Sequence, residues 1–152
     1  VRSIVSFRLT HEHGGTAAAV TERLGIPATR PLEAGTVISS RNPERTRTHS
    51  AWILSSAVEA EDDVRLPEML ERLLHQLEPV TAMLWDLERE GYAANWLGML
   101  DVRDGENATE LTRDVLLRLT ALPGDLWLDV YRDDEDGPGA LAIRRQLPPV
   151  DR

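Results

Sequence analysis

The chain predicts an α+β protein: a two-layer sandwich whose mixed, mostly antiparallel sheet of four or five strands carries helices on one face, ferredoxin-like in spirit. Three observations lead there. Apolar and polar residues alternate with the period of a strand in residues 2–10 and again in 126–132. Leucines recur at helical spacing between Leu66 and Leu87. Strand-like and helix-like segments also follow one another along the chain, as repeated strand–helix–strand units do.

The first strand, 2–10, places Val5, Phe7 and Leu9 on one side and Ile4, Ser6 and Arg8 on the other. A turn at 11–15 follows. Thr16 can then cap a helix that Gly25 closes and Pro27 prevents from continuing. Residues 27–49 read as irregular, with a short strand at 36–39. A second main strand covers 51–55, and an acidic loop covers 59–63. The long helical pattern of 66–90 contains Pro79, which removes a backbone donor and predicts a kink or a second helix. A third strand spans 92–102, with a loop at 105–108. Thr112 is positioned to cap a helix over 111–122, with Leu111 and Leu116 spaced for a hydrophobic staple. In the strand at 126–132, Leu126, Leu128 and Val130 are expected to face the core and Trp127, Asp129 and Tyr131 to face away. A turn at 133–139, a short edge strand at 140–144 and a loose tail at 147–152 complete the expectation. The whole is a single domain over 1–146 plus that tail.

Composition removes several functions. The chain has 152 residues, no cysteine, and a Lys+Arg total of 17 that is arginine throughout. No lysine Schiff base, P-loop lysine, thiolate nucleophile or cysteine metal site can be built from it. A net charge of -9 argues against general nucleic-acid binding. No apolar run reaches the length of a membrane span, and the N-terminal alternation is unlike a signal peptide. With no disulfide framework, the cytoplasm is the expected location.

The order of the segments resembles a bacterial family, the domain of unknown function DUF4279. The residues carrying the resemblance are Phe7-Arg8-Leu9, Leu24-Gly25-Ile26-Pro27-Ala28-Thr29-Arg30, the Trp52 strand, Leu111-Thr112 through Leu119, and Leu126-Trp127-Leu128-Asp129-Val130-Tyr131. The resemblance implies a small α+β bacterial protein and brings no accepted catalytic residues.

Among candidate chemistries, His11 and His13 would share a strand face and could supply two metal ligands, with a carboxylate as third. The plainer alternative is a pair of polar residues ending a strand beside Gly14-Gly15, and no metal or cofactor is expected. His75, one turn from Glu71 and from Glu78, suits helix-surface pairing. Arg41, Arg45 and Arg47, with Arg30 upstream, form a basic island suited to binding an anion or a partner; the alternative is a solvated loop. The tryptophans carry most of the aromatic mass. Trp127 is expected on the outer sheet face with Tyr131, Ile4, Arg8 and Trp96, a mixture of aromatic and polar groups that suits a binding surface; the alternative is that the C-terminal segment or a long loop covers that face within the monomer.

The resulting expectation is a non-catalytic protein-interaction module using the outer sheet face. It would be immunity-like, neutralising a basic partner, or would form a homo-oligomer, with no nucleic acid or membrane partner. The alternative is a small-ligand-binding protein or enzyme with a pocket near the 27–49 loop, using Arg30 and the His11/His13 pair.

Overall fold

The computed structural model describes residues 2–56, 64–102 and 108–132. The expected strand at 140–144, the tail at 147–152 and the acidic loop at 59–63 lie outside these. The elements run β1 (Arg2–His11), α1 (Ala17–Leu24), β2 (Arg30–Leu32), β3 (Val37–Ser39), β4 (Asn42–Thr46), β5 (Ser50–Ser55), α2 (Leu66–Leu77), α3 (Thr81–Arg89), β6 (Ala93–Val102), α4 (Arg113–Thr120) and β7 (Asp125–Arg132). A single 3-10 turn, Glu78–Val80, joins α2 to α3. It carries Pro79, so the break that proline imposes on the long helical pattern is a short tightened turn between two helices.

Five strands form the main sheet in the order β2-β5-β1-β6-β7, and β3 and β4 form a separate two-stranded ribbon. Pairing is antiparallel except between β6 and β7, which the α4 crossover joins in parallel. This is the mixed, mostly antiparallel α+β sheet that the alternation predicts. Val5, Phe7 and Leu9 of β1, Trp52 and Leu54 of β5, and Trp96 and Leu100 of β6 all point to one face. There they meet Leu66, Met69, Leu70, Leu73, Leu74 and Leu77 of α2 in one continuous core. Each of these α2 residues is fully buried, which is why the leucine stripe is broad.

Local chemistry fixes the element ends. Thr16 accepts a hydrogen bond from Ala19 N, and Gly25 closes α1 at φ 67°, as expected. Thr112 caps α4 by accepting from Val115 N. Gly124 enters β7 at φ 107°, and a Cβ there would lie 2.9 Å from the Ala94 carbonyl carbon and oxygen. Only glycine lets the residue just before the parallel strand approach β6 so closely.

Two segments differ from expectation. Residues 30–32 and 42–46, read from sequence as irregular, are strands. β2 pairs with β5 as a three-residue edge, and β4 pairs with β3. Pro31 and Pro43 mask the strand signal in both, since proline is tolerated only at edges and irregular positions.

Candidate surface on the β7 side of the sheet

The face away from the helices is built by Ile4, Ser6, Arg8 and Thr10 of β1, by Asn95, Leu97 and Met99 of β6, and by Trp127, Asp129 and Tyr131 of β7. The register sets the rows: Arg8 lies between Ile53 and Asn95, Leu97 pairs with Trp127, and Met99 lies between Ile4 and Asp129. Ile4, Arg8, Trp127 and Tyr131 therefore share a face, as the alternation requires. Trp96 does not. It is 1% exposed on the helix side, tilted against Phe7 at 4.8 Å, and its indole donates to Pro123 O at 3.2 Å. Trp96 belongs to the core-facing set Ala94, Trp96, Gly98 and Leu100, and the strand's polar Asn95 is what turns outward.

This outer face is uneven. Ser6, Ala51 and Ile53 are buried, whereas Trp127 is 61% exposed. Trp52 donates to Thr21 Oγ1, Trp85 to Ala121 O and Trp96 to Pro123 O. Among the described residues no acceptor partners the Trp127 indole. Arg8 is half-buried, and its Nε is buried without a hydrogen-bond partner among the described residues. Burial and then Arg30 hold its guanidinium below the ordinary arginine value, with Asp129 acting in the opposite direction.

The other side of β7 departs from expectation. Leu126 packs partly buried against the core, but Leu128 and Val130 are 42% and 57% exposed. Among the described residues α4 packs against α2 and not along β7, so no described helix lies over the outer part of this strand. On α4 itself Leu116 and Leu117 are also exposed, so Leu116 is not the buried half of a staple. Sequence periodicity assigns residues to a face but does not say whether anything covers that face.

The basic island is divided. Arg41 and Arg45 are exposed on the β3–β4 ribbon, and Arg47 donates to Thr36 Oγ1 and Val37 O at the ribbon's base. Arg30 instead sits on β2 opposite Ile53 in the main sheet. The four arginines thus belong to two separate elements.

His11 is committed to the backbone. Its Nδ1 accepts from His13 N at 3.0 Å and Gly15 N at 3.2 Å, which places the proton on Nε2, 3.4 Å from Glu90 O. Its ring also stands edge-on to Tyr92 at 4.7 Å. His13 points to solvent beside Glu12. No cluster of three or more histidine, aspartate and glutamate side chains among the described residues is placed to hold a metal. An open cleft of about 400 Å³ does lie here, lined by His11, Glu12, Gly14, Gly15, Thr16, Ala18, Glu33, Ala34 and Ser50. Neither Arg30 nor His13 lines it. Glu33 accepts from Ala18 N at 2.9 Å, capping α1 beside Thr16, and Ser50 accepts from Ala34 N.

A further cluster was not foreseen. Arg118 of α4 makes paired hydrogen bonds to Glu71 and to Glu78, 2.6–3.0 Å long. Both glutamates hydrogen-bond Arg118 of α4, while His75, the neighbour that helical spacing suggests, acts on Glu78 more weakly and through charge alone. Sequence spacing reveals partners on one helix only, and this pair comes from another.

The family model of the domain of unknown function DUF4279 matches residues 1–133, a span that contains the whole described fold. The chain belongs to the DUF4279 family. No curated protein and no solved structure matches it. The DUF4279 match covers β1 to β7, so the exposed strand β7 lies inside the family's span. No helix among the described residues is long and apolar enough to cross a membrane.

Proposed function

We propose that this DUF4279 domain is a non-catalytic protein-interaction module whose contact surface is the β7 side of the sheet. The observation that carries the proposal is the location of exposed apolar area. Among the described residues, Leu116, Leu117, Trp127, Leu128 and Val130 all belong to the α4–β7 unit; only Val37 and Trp85 are large, apolar and exposed elsewhere. Clustered apolar exposure of this kind marks contact sites. A tryptophan with an exposed ring and an unused indole N–H combines buried area with a directional bond, which interfaces favour. The acidic net charge suits a basic partner, as in an immunity-like role. The patch itself is apolar and supports association through burial. The lack of cysteine suits a cytoplasmic setting.

What supports this over a ligand-binding role is that the cleft's histidine and one of its carboxylates are already engaged within the chain, His11 by two backbone donors and Glu33 by the Ala18 N–H at the start of α1. The test is affinity capture from the native host, with bound proteins identified by mass spectrometry. Trp127→Arg and Val130→Arg should each empty the captured set while leaving the circular-dichroism spectrum unchanged. An undiminished set with both variants would reject the surface.

A further inference from the structure

We infer that the partner of the β7 edge is a second copy of this chain, joined strand to strand so that two sheets become one. The inference rests on the proposed use of the β7 side for protein contact. Among the described residues β7 ends the sheet order, so its outer row of backbone donors and acceptors is an edge available for pairing. Edge strands that must stay single are usually blunted by charged side chains, proline, bulges or shortness. β7 is eight residues long and has no proline, and its charged residues, Asp125, Asp129 and Arg132, limit how it can pair.

The charge pattern along β7 selects the geometry. A two-fold axis perpendicular to the sheet pairs β7 with its copy in antiparallel fashion and keeps each face on its own side. Opposed residues must then both be even-numbered, on the helix side, or both odd-numbered, on the outer side. With Asp129 on the axis, it faces its own copy. With Trp127 on the axis, Asp125 faces Asp129. Like charges directly opposed are unfavourable, so both registers are penalised. With Leu128 on the axis no acid faces an acid, and seven residues of β7 overlap, where an axis on Leu126 or Val130 leaves only three or five. Leu128 meets Leu128 and Leu126 meets Val130, gathering the exposed aliphatic residues on the helix side. On the outer side Asp129 meets Trp127, and Asp125 meets Tyr131. An aromatic ring with a polar tip thus stands across from each carboxylate.

The absence of native cysteine makes this register directly testable. Opposed antiparallel residues have Cα atoms about 4.5–5.5 Å apart, within the range a disulfide spans. Leu128→Cys should therefore yield a disulfide-linked dimer under mild oxidation, at least tenfold faster than Leu117→Cys, a control off the axis that is the more exposed of the two. Light scattering on the unmodified protein should give twice the chain mass at high concentration, which keeps the test independent of any folding defect in the variants. A single-chain mass at high concentration, or equal cross-linking at Leu128 and Leu117, overturns the inference. If the protein is monomeric yet Trp127→Arg still abolishes capture of a host protein, the self-pairing falls and the contact surface stands. If capture is also unaffected, both fall.

Discussion

Trp96 and Trp127 lie on adjacent strands, and their environments are opposite. Trp96 is enclosed against Phe7 with its indole satisfied; Trp127 is mostly open. Trp96→Ala should cost about 3–5 kcal/mol in chemical denaturation, as large-to-small core changes do. Trp127→Arg should stay within about 0.5 kcal/mol of the parent protein, because nothing in the described chain depends on it for packing. A large loss at Trp127 would mean that the ring is structural. Alternation along β7 makes Trp127's side legible in the sequence. In β6 the same rule cannot choose between the faces, because apolar residues occupy both: Leu97 and Met99 on one, Trp96 and Leu100 on the other. His11 is a second residue whose role depends on partners remote in sequence. His11→Ala should lower stability by about 1–2 kcal/mol, since two backbone N–H groups lose their acceptor. Thermal melts should show that loss equally with and without added zinc.

Among the elements, α4 and β7 determine most of what is distinctive. Helix caps and the proline break were legible because their chemistry is local: Thr16, Gly25, Thr112 and Pro79 each act within a turn of their own position. The Arg118 bridge was not, because Glu71 and Glu78 lie 47 and 40 residues away in sequence. Hydrogen bonding by Arg118 holds the Glu78 carboxyl below its ordinary value of 4.5. A carboxyl with a lowered folded pKa contributes stability that is present above its unfolded value and lost as pH falls through the folded one. Arg118→Met should therefore cost about 1 kcal/mol near neutral pH, less at high salt, and the deficit should shrink below about pH 4. A deficit that does not change with pH in urea titrations would contradict the ion-pair assignment. Gly124→Ala tests the parallel joint itself. The positive φ and the nearby Ala94 backbone predict a loss greater than about 1 kcal/mol, with β7 amides exchanging faster than those of β1.

At the scale of the whole molecule, the family, the mixed sheet and the side carrying the helices follow from segment order and periodicity. The exposure of the last strand does not. It depends on which element packs over the strand, and among the described residues α4 lies against α2 instead, which hydrophobic pattern alone does not say. That packing leaves an acidic protein with an apolar margin at β7, and the account's central claim is that this margin is a contact surface. Hydrogen exchange measured by mass spectrometry, on the unmodified protein at low and high concentration, tests the claim most directly. The account predicts that amides of 125–132 slow on concentration while those of the β3–β4 ribbon do not change. Exchange in β7 that is independent of concentration and of any protein captured with the chain would contradict it.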